Sequence, residues 1–141
     1  MNKKQWKKKT EEKNRFIKNQ EMGGNCLEAR ALVDFCAKKA AERKAVNILS
    51  MDLSQLSLVC DYFLILSANN KRHCQAIAEF LRGELAGAGA APLRMEGYSE
   101  GGWILLDCGS VVIHIFLEEE RRYYNLERLW GDAALEYYTP E

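Results

Sequence analysis

Helix-period segments and strand-length apolar runs alternate along this chain, which predicts an α/β (α+β) fold with a mixed β-sheet of about five strands flanked by helices. Three observations carry that prediction. Tyr62–Ser67 (YFLILS) is continuously apolar, as a central strand covered on both faces is. Trp103–Cys108 and Val111–Phe116 are rich in Ile, Val, Leu and aromatics and are separated only by Gly109 and Ser110, which suits a tight primed turn and makes a β-hairpin. Apolar residues three and four apart on either side of these runs supply the helices.

In chain order, residues 1–25 hold eight Lys or Arg against three Glu, with few apolar residues and no steady period, and read as a flexible basic extension. Residues 26–141 read as one domain, long enough to bury a single core. Asn25 followed by Glu28 resembles an N-cap with a returning carboxylate, and Ala31, Leu32, Phe35 and Cys36 recur at helical spacing, so a first helix is expected over 26–44. Val46–Leu53 is a β-compatible run. Asn69 and Asn70 can cap a second helix with Cys74, Ile77, Leu81 and Leu85 as its apolar stripe, ended by Gly87, Gly89 and Pro92. Leu93–Glu96 is a short strand ahead of the hairpin. The last helix is expected from Glu118 to about Tyr138, with Tyr123, Leu126, Trp130, Ala134 and Tyr137 as one buried stripe and Glu118, Glu119 and Glu120 at its positive end.

The hairpin constrains function most. A two-residue turn sets Cys108 opposite Val111, Leu106 opposite Ile113 and Ile104 opposite Ile115, one wholly apolar face. The other face pairs Trp103 with Phe116, Leu105 with His114 and Asp107 with Val112. Rings, a carboxylate and an imidazole on one face imply either a polar-edged covering element or recognition. Asp107 and His114 are diagonal neighbours there; with no Ser or Cys placed beside them, they read as a structural hydrogen bond rather than an acid–base pair.

Composition narrows the function classes. The net charge of zero divides into about +5 on the extension and about −5 on the domain, which holds twelve basic and seventeen acidic residues. An acidic domain argues against a nucleic-acid face on its surface and suits a basic protein partner, while the extension's lysines suit either solvent or rRNA phosphates. Five cysteines without a CxxC pair, and two histidines far apart, give neither a zinc site nor a disulfide framework. No apolar run approaches the ~20 residues of a membrane span and no signal-peptide core follows the N-terminal lysines, so a cytoplasmic protein without membrane contact, or one that enters an organelle by another route, is expected. Phosphate-cradling glycine motifs are absent. SANNKRH (Ser67–His73), between a strand and a helix, is a candidate anion site, with exposed basic residues of a helix start as the plainer reading. The strand–turn–helix containing Ser67 is reminiscent of nucleotidyltransferases, yet no Asp-x-Asp follows, and Asp61, Glu96 and Asp107 are only scattered carboxylates. No cofactor, metal or catalytic residue is expected.

CDYFLILSANNKRHCQAIA (Cys60–Ala78), Glu96-Gly97, WILLDCGSVVIHIF (Trp103–Phe116) and RRYYNLERLWGDA (Arg121–Ala133) resemble the ribosomal silencing factor family, also called Iojap or YbeB, over about Leu27–Tyr138. The resemblance implies a nucleotidyltransferase-like fold without the catalytic carboxylates and a non-enzymatic role. It implies binding to the large ribosomal subunit, chiefly its fourteenth protein, at the face that meets the small subunit, and a block on subunit joining when nutrients are scarce. Trp103, Asp107, His114, Arg122, Tyr124, Glu127 and Trp130 fall at the family's recurring positions. Ser67-Ala68 and Gly109-Ser110 stand where the family has Ser-Gly and Gly-Asp.

The residues and the resemblance meet on one surface. Trp103, Leu105, Asp107, His114, Phe116, Glu118, Arg122 and Tyr124 are the expected partner-binding residues, with Trp103 an anchor whose truncation weakens docking and leaves the fold intact. A large-subunit assembly factor and a degenerate nucleotide binder are the alternatives, and the sequence leaves monomer and homodimer both open.

Overall fold

The computed structural model describes residues 29–58 and 60–138, so the basic extension and the Asn25–Glu28 cap lie outside the described residues. Within them run helix α1 (Ala29–Glu42), strands β1 (Val46–Asp52) and β2 (Tyr62–Ala68), and helix α2 (Lys71–Gly87). Strands β3 (Arg94–Glu96), β4 (Trp103–Asp107) and β5 (Val111–Leu117) follow, then two short helices, α3 (Glu118–Tyr124) and α4 (Leu126–Leu129), and strand β6 (Ala134–Tyr138). The strands form one mixed sheet in the order β3-β4-β5-β2-β1-β6. Only β2 and β5 pair in parallel, from Tyr62 opposite Val111 to Ala68 opposite Leu117; such a pair needs a long crossover, and α2, β3 and β4 provide it.

The apolar periodicity places the first core. Leu32, Val33, Cys36, Ala37 and Ala40 of α1 and Cys74, Ile77, Ala78, Leu81 and Leu85 of α2 pack on Leu64, Leu66, Ile104, Leu106, Ile113 and Ile115 of the sheet. Helix α2 starts where expected: the Asn70 side chain accepts a hydrogen bond from the His73 N–H at 2.8 Å. The hairpin register is also as expected, with Trp103 opposite Phe116 and Leu105 opposite His114. Gly109 turns it at φ 84°, a conformation that favours glycine.

The long last helix does not form. Asn125 sits in the left-handed region at φ 44° and does two jobs: its N–H caps α3 on the Arg121 carbonyl at 2.9 Å, and its side chain caps α4. After Gly131 the chain extends again, and β6 adds a sixth strand antiparallel to β1. Of the expected stripe, Leu126 and Trp130 are buried, whereas Tyr123 is 77% and Tyr137 66% exposed. The three- and four-residue spacing was therefore coincidental beyond Trp130, and the β-preference of Tyr137-Tyr138 prevails once β1 offers an open edge. Tyr138 Oη donates to Asp34 at 2.8 Å, and Glu136 pairs with Arg30, tying β6 to α1.

Gly97, just beyond β3, has φ 80°, and a Cβ there would lie 2.1 Å from the Trp103 carbonyl oxygen. The β3–β4 connection closes on β4 only without that atom. Gly97→Ala is expected to lose about 2–4 kcal/mol of unfolding free energy in urea, from left-handed strain plus the clash; a change under ~1 kcal/mol would mean the connection relaxes freely.

Candidate partner-docking surface

Period-two alternation sends Trp103, Leu105 and Asp107 of β4 and Val112, His114 and Phe116 of β5 to the sheet face opposite α1 and α2. Phe63 and Ile65 of the parallel neighbour β2 join them, and the whole set needs a lid. Leu126 and Trp130 of the α3–α4 segment, with Leu53 from the β1–β2 connection, complete this second core. Leu105, Asp107, His114 and Phe116 are consequently buried. The expectation that this hairpin face lies open to a partner is corrected: the covering element has closed it, and those four residues support the surface instead of forming it.

Each polar group under the lid has a specific arrangement. The Trp103 indole N–H donates to His114 Nδ1 at 3.1 Å, which leaves the imidazole proton on Nε2. Burial among Phe63, Trp103 and Phe116 pushes the imidazole down to about 3, so His114 is neutral at physiological pH. Asp107 accepts from the Gly109 N–H at 2.9 Å and from Arg94 Nε at 3.2 Å. The carboxylate thus braces the hairpin turn and β3 across β4. A buried neutral imidazole and a carboxylate engaged in this way are structural groups.

The outer layer is different. Trp103 is half-buried, its ring centroid 4.5 Å from Tyr124 and 4.9 Å from Phe116. Tyr124 stands edge-on to the exposed Tyr123 at 5.0 Å. Glu118 and Arg122, one turn apart on α3, face solvent as a loose pair at 3.9 Å. Of the eight expected docking residues, then, Trp103, Glu118, Arg122 and Tyr124 reach the surface. Helix α3 is held there by Arg121, a buried cation that donates to the Asn47 carbonyl at 2.7 Å, Ser67 Oγ at 2.8 Å and Glu127 Oε1 at 3.1 Å. Arg121 is not among the expected docking residues. Its signal is the helical step from Arg122: once Arg122 faces outward, Arg121 points toward the sheet.

Residues Ser67–Lys71 of the candidate anion segment line a second hollow with Val46, Asn47, Glu118, Glu119 and Arg122, whereas Arg72 and His73 do not. Ser67 there is committed to Arg121, and the hydroxyl is buried. Glu96 and Asp107 are both engaged by Arg94, and among the described residues no group of three His, Cys, Asp or Glu is placed to hold a metal ion. Of the described cysteines, Cys36, Cys60 and Cys74 are buried and Cys108 is partly so. No described helix is long and apolar enough to cross a membrane.

A family model described as "Ribosomal silencing factor during starvation" matches residues 27–140, the whole of the fold just described. The chain belongs to the ribosomal silencing factor family. It is 40% identical over 109 residues to the silencing factor of Bacillus subtilis, covering 77% of this chain and 92% of that one. A Chromobacterium violaceum crystal structure superposes with a TM-score of 0.73 at 26% identity, covering 80% of this chain and 94% of that one. Similarity extends to the mouse protein named for mitochondrial assembly of the ribosomal large subunit, 30% identical over 101 residues, 70% of this chain and 44% of that one. This is a family of regulatory proteins, which agrees with the structural roles found for His114 and Asp107.

Two outcomes follow from the buried layer. Because burial depresses the His114 pKa, the unfolded chain takes up a proton that the native state refuses. Stability is full above about pH 6.5 and falls by about 1.4 kcal/mol per pH unit below it. Between pH 6.5 and 5 this group removes about 2 kcal/mol in urea titrations, and His114→Asn, which keeps an acceptor for Trp103, is expected to abolish that share. Trp103→Ala leaves a gap between Phe116 and Tyr124, so it is expected to cost about 2–3 kcal/mol, seen as a melting temperature lower by roughly 10 °C. Trp103, half-buried, thus supports the fold as well as reaching the surface.

Proposed function

We propose that this silencing-family protein binds the large ribosomal subunit through its fourteenth protein, acts in the cytoplasm, and sterically blocks joining of the small subunit under nutrient limitation. No catalysis is involved. The carrying observation is the α3 rim: Tyr123, Tyr124 and the edge of Trp103 present aromatic surface with Glu118 and Arg122 beside it. Aromatic anchors within a polar rim are the usual composition of interface hot spots. The acidic domain also favours a basic partner, steering encounter more than fixing affinity. In this reading Leu105, Asp107, His114 and Phe116 contribute by fixing the rim from below.

The named mouse relative supports a second reading, in which the protein acts during large-subunit assembly and prefers precursor subunits to mature ones. Light scattering of purified subunits separates the two. Wild-type protein is expected to abolish the joining signal, and an Arg122→Ala/Tyr124→Ala variant to need roughly 30- to 1000-fold more protein for the same block. Unimpaired joining at saturating wild-type protein would remove the blocking mechanism and leave the assembly reading, to be checked by binding to precursor particles.

A further inference from the structure

A cleft of about 320 Å³ opens between the β3–β4 connection and α3, with Glu96, Glu100 and Glu120 around it, Trp103 and Tyr124 as its aromatic wall and Leu105 at its base. It is built and held. Gln75 of α2 fastens the connection through the Tyr98 carbonyl at 2.8 Å, and the Gly101 N–H closes the loop on the Gly97 carbonyl at 3.0 Å. Gly102 lacks the Cβ that would stand 3.0 Å from Glu120 Oε1, so the carboxylate can lie against the backbone. Glu96 is partnered by Arg94, but Glu120 Oε2 is buried and receives no hydrogen bond from the described residues. A desolvated carboxylate oxygen without a donor is costly in the free protein and becomes favourable when a cation supplies one.

We infer that this cleft receives an arginine side chain of the protein partner, its guanidinium lying on the Trp103–Tyr124 wall and donating to Glu120, with Glu100 adding charge at the mouth. The fit is chemical on three counts. A guanidinium is flat and stacks on aromatic faces, it presents several donors to a carboxylate, and it sheds water more readily than an ammonium. The cleft adjoins the docking rim through Trp103 and Tyr124, so one bound partner can engage both. The ribosomal identity of that partner rests on the reading above, while the guanidinium specificity stands on the cleft itself.

The test uses the full chain and its Glu120→Gln variant. In NMR titration with N-acetylarginine amide at millimolar concentration, the Trp103 indole N–H and the amides of residues 97–102 are expected to shift in the wild type and not in the variant. The neutral citrulline counterpart is expected to shift neither. Large-subunit affinity of Glu120→Gln is expected to fall roughly ten- to hundredfold, with a weaker salt dependence. Its free-state melting temperature is expected to rise by a few degrees, because an uncompensated carboxylate has gone; a purely structural role would lower it. A lowered melting temperature would show that the free chain already fills the cleft with a cation of its own, and equal shifts with citrulline, or unchanged subunit affinity, would likewise overturn the inference. Should the arginine probe enter the cleft while wild-type protein ignores large subunits, the guanidinium site stands and the ribosomal reading fails.

Discussion

Everything in this fold depends on the parallel pairing of β2 with β5, two strands that carry almost no polar surface. YFLILSA lies beside VVIHIFL at the middle of the sheet, and both strands are apolar on both faces. Parallel strands of this kind are stable only when covered on both sides. The two long helices cover one side, which is why α1 and α2 carry continuous apolar stripes. The second side has only the stretch after β5 to cover it, and that stretch must turn back immediately across the strand it has just left. A single long helix leaving β5 cannot do so. The break at Asn125 reverses the chain so that Leu126 and Trp130 reach Phe63 and Phe116, and it releases the next residues to become β6.

That tight return explains the polar groups trapped beneath it. His114 and Asp107 sit on strand positions that a two-layer fold would leave wet, and closing the lid removes their water. Each is then held by a near neighbour in the same hairpin system, His114 by the Trp103 indole and Asp107 by the turn and Arg94. Arg121 completes the pattern from the other end. Its guanidinium reaches a carbonyl on β1, a hydroxyl on β2 and a carboxylate on α4, so one buried cation fixes three elements relative to each other. Removing one partner of such a group leaves an uncompensated charge, a larger penalty than the pair's own net contribution.

The sheet and the two long helices were legible because each rests on a local signal that nothing overrides. Asn70 caps α2 by a side-chain hydrogen bond within four residues, and Gly109-Ser110 sets the hairpin register by turn geometry alone. The lid was illegible for the opposite reason. Tyr123, Leu126, Trp130, Ala134 and Tyr137 satisfy helical spacing on paper, and only the open edge of β1, contributed from far away in sequence, makes strand the better state for the last of them. Misplacing that element also misplaced the site, since an uncovered hairpin face would have exposed Phe116 and His114. Trp103, singled out by the hairpin alternation and the family resemblance, and Tyr124, by the resemblance alone, are both half-buried. Sequence reading had no means of seeing Glu120 and Gly102 brought together, because a glycine that makes room for a carboxylate leaves no periodic trace.

A lid packed this closely has a consequence for recognition. Side chains that stay mobile in the free protein lose rotamer freedom when a partner immobilises them, at about 0.5–1.5 kcal/mol each. Trp103 is already fixed by its indole hydrogen bond and by two ring contacts, and Tyr124 by Trp103. Little ordering remains to be done at the aromatic part of the rim. Arg122 and Glu118, in contrast, are long, exposed and only loosely paired, so each surrenders more freedom than its single contact returns. In the proposed docking, affinity therefore resides in the aromatic wall that the buried layer has pre-set, with the charges of α3 governing how fast and in what orientation a basic partner would arrive.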